Sequence, residues 1–337
     1  MADRLNIGPL AGGGLVLSWR CSSRCRHCLY GSGPWRTDGR PASDADLDRL
    51  LDDLHARAPH AAWHIGGGEP FLDPDLLEKT IDGMVRRGMF LQYVETNASW
   101  VTDPGQTEAL LRRLAGVGLR CLLISVSPFH AEFVPLARTR LLIQAARRFL
   151  PHAPLVWIPD FLTDLEGIDA DHPLPFDTFL AGHGRDYGVG LTERYGLVAA
   201  GRTGRFLAAQ GATFPTDELL RQAPCRRRLA DTSHFHVDAE GNYVPGLCAG
   251  LRWPWSSLPG PIDLAGFPLL QHLADGDLAG LWKKAVLAGF EGLPAYASPC
   301  DLCTHVRQFF YARDPAACPE LGPAGFYDPR SLPAYLD

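Results

Sequence analysis

Short apolar segments alternate with amphipathic segments through the first two hundred residues, and this order constrains the fold more than any other feature of the chain. The apolar segments predict strands at residues 15–18, 62–65, 90–95, 121–126, 155–158 and 188–199. Strands that are separated by helices pair in parallel, and right-handed crossovers curl the resulting sheet. The order therefore predicts an α/β fold whose sheet curls into a full or partial barrel, and six strands correspond to a partial (β/α)6 barrel of the TIM type.

Helix start signals stand between the predicted strands. Ser43 opens a capping-box pattern, and an aspartate followed by a proline begins two further helices, at Asp73 and at Asp103. A fourth helix is predicted over residues 136–150. Each of these helices lies between two predicted strands, as the barrel requires.

The pattern changes after about residue 205. The predicted elements beyond it are a β-hairpin and two helical segments, at residues 234–237 with 242–244, 270–287 and 301–313. A coil on the surface is predicted from Pro315 onward. The chain is therefore predicted to contain two parts, the barrel in residues 1–205 and a C-terminal extension of a hairpin and helices in residues 206–337.

Composition and charge exclude several classes of protein. The 337 residues carry a net charge of −6 without long blocks of one sign, so no nucleic-acid partner is predicted. The N-terminus lacks the pattern of a signal peptide, and no apolar stretch reaches membrane-spanning length. These features predict a cytoplasmic protein without a membrane partner. Nine cysteines in such a chain indicate metal binding or catalysis rather than disulfides.

Three of the cysteines form a C-x3-C-x2-C motif, Cys21, Cys25 and Cys28, directly after the first predicted strand. The string Gly67-Gly68-Glu69-Pro70 follows the second strand, and the carboxyl ends of parallel barrel strands meet at one face. Three thiolates can hold three irons of a four-iron cluster and leave the fourth iron open. A structural zinc site, with His27 or a distant residue as fourth ligand, is the alternative.

The two motifs together resemble the radical SAM superfamily over roughly residues 12–205. The resemblance implies a [4Fe–4S] cluster on Cys21, Cys25 and Cys28, whose open iron is chelated by the amino and carboxylate groups of S-adenosylmethionine (SAM). One electron, from a flavodoxin- or ferredoxin-type donor, then cleaves SAM to methionine and a 5′-deoxyadenosyl radical. That radical abstracts a hydrogen atom from the substrate.

The resemblance also implies a set of residues that bind SAM. Glycines allow the backbone to approach a ligand closely, and Glu69 adds a charge. His27 occupies a position that is usually aromatic and near the adenine, and polar residues follow the third and fourth strands. The predicted cofactor-binding residues are His27, Gly67, Gly68, Glu69, Pro70, Asn97, Ser125 and Ser127. For the serines and Asn97 the alternative is bonding within local turns.

One histidine and one arginine each have two competing interpretations. His130 is predicted to face the substrate as a catalytic residue, and a structural histidine is its alternative. Arg202 resembles an arginine that follows the sixth strand in related enzymes. It is predicted either to bind a carboxylate or to form a surface salt bridge.

Four cysteines in the last third of the chain, Cys225, Cys248, Cys300 and Cys303, resemble the twitch region, a shortened SPASM extension. The resemblance implies an auxiliary [4Fe–4S] cluster held by these four residues. Gly241 lies seven residues before Cys248, where five is the common spacing, and a four-cysteine zinc site is the alternative.

Two cysteines remain outside these sets. Cys121 is predicted to be a buried strand residue. For Cys318 the predicted roles are a cluster ligand, a catalytic hydrogen-atom donor or a surface thiol.

The substrate is predicted to be a small molecule, such as a sugar or amino-cyclitol that is oxidised or epimerised. Only about twenty residues precede Cys21, which leaves no room there for a domain that binds a leader peptide. A peptide substrate that gains an epimer, a thioether or a carbon–carbon link is the alternative. There are two further alternatives. One is sulfur transfer from the auxiliary cluster, and the other is a binding protein stabilised by zinc or a cluster.

Overall fold

The computed structural model describes residues 3–221, 225–333 and 335. Its strands, in chain order, are β1 Arg4–Ile7, β2 Gly12–Ser18, β3 Ala62–Gly67, β4 Phe90–Thr96, β5 Leu122–Ser125, β6 Leu155–Trp157, β7 Phe214–Pro215, β8 Phe235–Asp238, β9 Asn242–Val244, β10 Trp253–Pro254, β11 Gly260–Asp263 and β12 Ala295–Tyr296.

The helices are distributed along the whole chain. They are α1 Asp44–Arg57, α2 Pro74–Arg86, α3 Pro104–Gly116, α4 Pro128–Ala131, α5 Leu136–Phe149, α6 Asp160–Asp164, α7 Phe176–His183, α8 Arg185–Tyr195, α9 Gly201–Ala209, α10 Thr216–Leu219, α11 Cys225–Leu229, α12 Leu270–Asp275, α13 Leu278–Leu287 and α14 Pro299–Arg313. No helix in the described ranges is long and apolar enough to cross a membrane.

One eight-stranded sheet forms the centre of the fold, in the order β10-β9-β8-β2-β3-β4-β5-β6. The six strands from β8 to β6 are parallel, and β9 and β10 extend the β8 edge in antiparallel fashion. The first five of the predicted strands are thereby confirmed in order and direction. Mixed helices and a parallel sheet confirm the predicted α/β fold of the partial-barrel type.

The predicted helix starts are confirmed by their caps. The side chain of Ser43 accepts a hydrogen bond from the amide of Asp46, and Asp73 and Asp103 cap α2 and α3 in the same way. Each cap satisfies an amide that the helix itself leaves without a partner. These three helices therefore begin where the sequence predicts.

The strands of the main sheet have an apolar face toward the helices and a more polar face toward the barrel interior. On β3, Trp63 and Ile65 belong to the main buried core, whereas His64 between them points the opposite way. β8 repeats this alternation, with Phe235 in the same core and His236 on the inner face. The sequence pattern therefore directs polar side chains into the barrel.

The predicted sixth strand over residues 188–199 is wrong. This segment lies largely in α8, where Leu191 and Tyr195 are four residues apart and both buried. Tyr195 stacks on Phe161 with ring centroids 3.9 Å apart, so a helical period rather than an alternating one buries the apolar side chains. The sixth parallel strand is β8, which pairs with β2 on the other side of the sheet.

The C-terminal region differs from its prediction in two places. The predicted helix over residues 270–287 is divided into α12 and α13, because Gly276 adopts a left-handed conformation and Asp277 caps the second helix. The segment after Pro315 is not a surface coil, since Leu321 and Leu332 are buried in the main core. The predicted domain boundary between residues 205 and 206 stays a prediction. β8 lies on the C-terminal side of this boundary and completes the central sheet.

Candidate active site

A cavity of about 310 Å³ lies at the barrel interior and reaches the carboxyl ends of the parallel strands. Segments that follow β2, β3, β4, β5 and β6 line it, together with the start of α9 and residues of β8. Nine of the predicted site residues line this one cavity: Cys21, Cys25, His27, Cys28, Gly67, Gly68, Asn97, Ser125 and His130. Residues that are far apart in the sequence therefore share a single site.

The three thiols of the first motif lie close together, with Cys21 and Cys25 buried and Cys28 half-buried. Burial, followed by the nearby Glu69 carboxylate, raises the pKa of Cys21 to about 12. Burial and then the neighbouring Cys21 and Cys28 sulfurs raise the pKa of Cys25. Thiols in such a place ionise only when a positive centre compensates them, which is the effect of a bound metal.

Single metal ions and clusters make different demands on these thiols. Within the described ranges, no group of three or more His, Cys, Asp or Glu side chains could hold one metal ion. That finding gives the zinc alternative no support, because a structural zinc ion requires four ligands around one centre. In a four-iron cluster each thiolate binds a different iron, so the ligands lie further apart.

Arg202 fastens the cysteine loop to the start of α9. Its Nε donates to the carbonyl of Cys25 at 2.9 Å, and its Nη2 donates to the carbonyl of Ser32 at 2.7 Å. The side chain is buried, so the predicted surface salt bridge is wrong. Its positive charge acts to lower the pKa values of Cys21 and Cys25, against the effect of burial.

Gly68 allows one backbone segment to approach another. A Cβ atom at Gly68 would overlap the carbonyl of Arg20, and the Gly68 amide donates to the carbonyl of Ser18 at 2.8 Å. Gly67 has a φ of +112°, which few other residues adopt. The glycines line the cavity, but the close approach that they permit is to the segment leading into Cys21, whereas the sequence suggested an approach to the ligand.

Glu69 holds the end of β4 rather than lining the cavity. The buried carboxylate accepts hydrogen bonds from the Asn97 amide at 2.7 Å, from the Thr96 hydroxyl at 3.0 Å and from the Phe71 amide at 3.1 Å. Burial raises the pKa of Glu69 to about 7, although these donors oppose the rise. Pro70 is also buried and begins a single 3-10 turn.

Asn97 connects this carboxylate to the first cysteine. Its Nδ2 lies 3.4 Å from Cys21 Sγ and 3.3 Å from the hydroxyl of Ser22. The Ser23 amide also donates to Cys21 Sγ at 3.4 Å. Hydrogen bonds to ligand sulfurs tune the reduction potential of iron–sulfur clusters, so Asn97 would act on Cys21 if this thiol held a cluster.

An aromatic wall closes another side of the cavity. The His27 ring stacks on Phe129 with centroids 4.5 Å apart and meets the edge of His130 at 4.8 Å. Burial lowers the pKa of His130 to about 4, and its Nδ1 lies 2.8 Å from the Ser127 hydroxyl. Ser127 itself is buried and caps α4, which is the local bonding that was its alternative. Ser125 lines the cavity at the end of β5.

Several cavity residues were missed at the sequence level. They come from the inner faces of the strands and from the cysteine loop: Tyr30, Tyr93, Trp157, His234 and His236. The signal for them was present in strands such as β3 and β8, where a polar residue stands between two buried apolar ones. A histidine in that position faces away from the helices.

The four C-terminal cysteines also approach one another. After burial, the largest influences that raise the pKa of Cys225 are the sulfurs of Cys303, Cys248 and Cys300. Arg228 Nη1 donates to Cys300 Sγ at 2.9 Å. Cys225 begins α11, Cys248 follows β9, and the pair Cys300 and Cys303 lies in the first turns of α14.

For the remaining two cysteines, no other thiol is among the groups that shift the pKa. Cys318 is buried, and burial followed by the Glu320 carboxylate raises its pKa to about 11. It is not among the described residues that line the cavity. Cys121 is buried directly before β5, as predicted for a strand residue.

Comparisons with known proteins are consistent with this site. Residues 15–144 match the family model of the radical SAM superfamily. No curated protein matches the chain.

Solved structures that are similar to this chain have low sequence identity with it. One is anSMEcpe with bound AdoMet, at 13% identity and a TM-score of 0.38, covering 70% of this chain and 74% of that one. BtrN in complex with AdoMet and 2-DOIA has 14% identity and a TM-score of 0.38, with 72% and 74% covered. Streptococcus suis SuiB bound to its precursor peptide SuiA has 11% identity and a TM-score of 0.34, with 95% and 76% covered. At these TM-scores the likeness carries no functional inference.

Proposed function

Because residues 15–144 match the radical SAM superfamily model, we propose that this chain is a radical SAM enzyme that cleaves S-adenosylmethionine reductively and abstracts hydrogen from a small-molecule substrate. A [4Fe–4S] cluster with SAM supplies the 5′-deoxyadenosyl radical when both are bound. The observation that carries the proposal is the convergence of Cys21, Cys25 and Cys28 with Gly67 and Gly68 in one cavity. A flavodoxin- or ferredoxin-type protein is the proposed electron donor.

The residues around the cavity fit the polar and charged groups of a bound cluster and SAM. Cys21, Cys25 and Cys28 would hold the cluster and leave one iron without a protein ligand. Ser32 Oγ and Arg202 Nη1 are buried polar atoms that line this cavity without a hydrogen-bond partner in the described structure. Since such atoms are costly when unpaired, they favour a bound group that completes their hydrogen bonding.

This chain's residues have separate tasks in the proposed reaction. Arg202 holds the cysteine loop in place and offsets the negative charge of the thiolates. The Asn97 side chain donates toward Cys21, and the Glu69 carboxylate holds Asn97 in place by accepting a hydrogen bond from its backbone amide. His27, stacked on Phe129, offers a flat surface for the adenine of SAM. His130 is buried and neutral, so it would act there as a hydrogen-bonding group rather than as a cation.

We propose that Cys225, Cys248, Cys300 and Cys303 hold an auxiliary [4Fe–4S] cluster. The mutual influence of their thiols supports a shared site, and Arg228 and the buried Arg307 supply positive charge beside it. Four thiols would close the coordination of the cluster, so Cys318 is not needed as a ligand. Metal analysis tests this: about eight irons per chain and no stoichiometric zinc are expected, whereas one zinc with four irons would contradict it.

The cavity is small, and by this proposal it holds SAM as well as the substrate, which favours a small substrate. About 310 Å³ falls within the range of pockets that bind small molecules and cofactors. We propose oxidation or epimerisation of a sugar-like compound. Because Cys318 lies apart from the cavity, a hydrogen-atom donation by this residue, which would favour epimerisation, gains no support from its position.

Anaerobic assay of SAM cleavage tests the proposed function. Reconstituted, dithionite-reduced protein is expected to form 5′-deoxyadenosine slowly without substrate. The variant in which Cys21, Cys25 and Cys28 are all alanine should form none. A wild-type protein that carries iron but never cleaves SAM would contradict the proposal and favour a cluster-stabilised binding protein.

A further inference from the structure

A group of polar side chains lies inside the barrel, deeper than the cysteine loop. We call His64, Tyr93, Glu95, His234 and His236 the lumen cluster. The ring centroids of the three histidines are 4.9 to 5.5 Å apart, and Tyr93 stacks on His64 at 5.2 Å. All but His64 line the cavity, and His64 lies beside all four of those that do.

The barrel backbone leaves space for these rings. Interiors of barrels of this kind are normally filled by branched apolar side chains. Here Gly14 of β2 lies between His64 of β3 and His236 of β8, as the strand register requires. A Cβ atom at Gly14 would overlap both histidine rings. The absence of a side chain at Gly14 therefore makes the polar interior possible.

His64 lacks a partner for one of its ring nitrogens. It is 2% exposed, and its Nε2 has no hydrogen-bond partner in the part of the chain that the structure describes. The nearest carboxylate oxygen, Glu95 Oε1, lies 3.8 Å away, which is too far for a direct hydrogen bond. Since an unpaired buried nitrogen is costly, this atom favours a bound polar group between His64 and Glu95.

The tautomer of His236 follows from its neighbours. The Tyr30 hydroxyl lies 3.1 Å from the Gly246 carbonyl and 3.1 Å from His236 Nδ1. A carbonyl can only accept, so the single hydroxyl hydrogen of Tyr30 is directed to Gly246, and His236 Nδ1 carries a hydrogen that it donates to Tyr30. His236 Nε2 is then an acceptor at the cavity surface.

The charge of the lumen cluster is zero or negative. Burial lowers the pKa values of all three histidines, so they are neutral near pH 7. Glu95 is the one carboxylate among the described residues lining the cavity, and its side chain is 34% exposed there. The one lining cation in that same set, Arg202, donates through Nε and Nη2 to the cysteine loop, so only its Nη1 is left to face the cavity.

We propose that the lumen cluster is the substrate-binding subsite, and that it takes a small polyol that is neutral or carries an amine. Glu95 and His236 Nε2 both accept hydrogen bonds, so a ligand with several O–H or N–H donors satisfies them. A carboxylate or phosphate has no such donor and would be repelled by Glu95. This inference rests on the proposed function and adds the chemical class of its substrate.

Three pyranose sugars that differ mainly in charge serve as probes: glucosamine, glucose and glucuronate. Isothermal titration of each into the anaerobically reconstituted holoenzyme with SAM, at pH 7.5, gives the binding order. We expect glucosamine to bind most tightly and glucuronate most weakly, with about tenfold or more between them. Tightest binding of glucuronate, or binding of none of the three sugars, would overturn the proposal.

Variants separate the subsite from a general effect on folding. Glu95→Gln should bring the affinities for glucosamine and glucose to within about twofold, and Gly14→Ala should weaken all measurable binding about tenfold or more by filling the space. The matched control is Glu291→Gln, which changes an exposed carboxylate outside the cavity lining and should leave the order unchanged. Iron content reports whether each variant retains its clusters.

Two outcomes would assign the cluster differently. If Glu95→Gln retains both its iron and the full preference for glucosamine, the charge argument is wrong. If the holoenzyme holds a stoichiometric non-iron metal that His236→Phe loses, the histidines are ligands and the proposal fails. A protein that binds glucosamine in the expected way but never cleaves SAM would refute the proposed function and leave the subsite intact.

Discussion

Substitution of Gly68 by alanine should damage the cluster site before it affects anything else. The added Cβ would overlap the carbonyl of Arg20 and approach the carbonyl carbon of Trp19 to 2.9 Å. Restoring ordinary contact of about 3.4 Å at Trp19 alone requires a shift of about 0.5 Å, and the shift at Arg20 is larger. Both neighbours are backbone atoms, so the segment that carries Cys21 must move.

The expected cost has two parts. Overpacking of this kind lowers the free energy of unfolding by about 1–3 kcal/mol, which corresponds to a fall in Tm of roughly 2–6 °C for a chain of this size. Displacement of Cys21 should also reduce iron after anaerobic reconstitution from about eight to about four per chain, since only the first site is disturbed. Iron and sulfide analysis beside a thermal melt measures both effects.

Gly116→Ala is the matched control for this substitution. No atom lies within 4 Å of a Cβ built on Gly116, at the end of α3, so iron content and Tm should be unchanged or slightly raised. If Gly68→Ala keeps the full iron content and loses only SAM affinity, Gly68 approaches the ligand and not the cysteine loop. The assignment of this glycine would then be wrong.

Three further predictions concern single side chains. Cys318→Ala should retain about eight irons, because no other thiol influences the pKa of Cys318 and four other cysteines suffice for the second cluster, and loss of about four would make it a ligand. Asp301→Asn should lower the free energy of unfolding, measured by denaturant titration, by about 3–5 kcal/mol, because it breaks the buried pair of Asp301 with Arg205 at 2.6 Å; an unchanged value would contradict this. Glu95→Gln should stabilise the protein at pH 8 relative to pH 5. Burial, then Glu69, raises the pKa of Glu95 to about 7, so the folded wild type loses stability as the pH rises from the ordinary carboxyl range through 7. The other titratable groups facing Glu95 are His64, Tyr93 and Tyr30. An equal difference in Tm between the variant and the wild type at pH 5 and pH 8 would refute the assignment.

Much of the barrel could be predicted because its signals are local. The caps at Ser43, Asp73 and Asp103 and the apolar runs between them identify strands and helices within a few residues of their bounds. The convergence of Cys21 with Gly67 follows from the rule that parallel strands end at one face. These inferences need no knowledge of distant contacts.

The remaining features depend on contacts between distant segments. β8 joins β2 across more than two hundred residues, and no local pattern distinguishes that pairing from an isolated hairpin. The burial of Arg202 follows from its contact with the loop at Cys25, and the role of Gly68 follows from the path of residue Arg20. Such roles are set by which backbone segments meet, which the sequence alone does not specify.

Electron paramagnetic resonance of the dithionite-reduced protein, with and without SAM, tests the central claim most directly. The wild type should show a cluster signal that changes when SAM is added, because the cluster proposed on Cys21, Cys25 and Cys28 would have an open iron. The triple alanine variant of these cysteines should retain only a signal that SAM leaves unchanged. A SAM-sensitive signal that persists in that variant would contradict the assignment of the site.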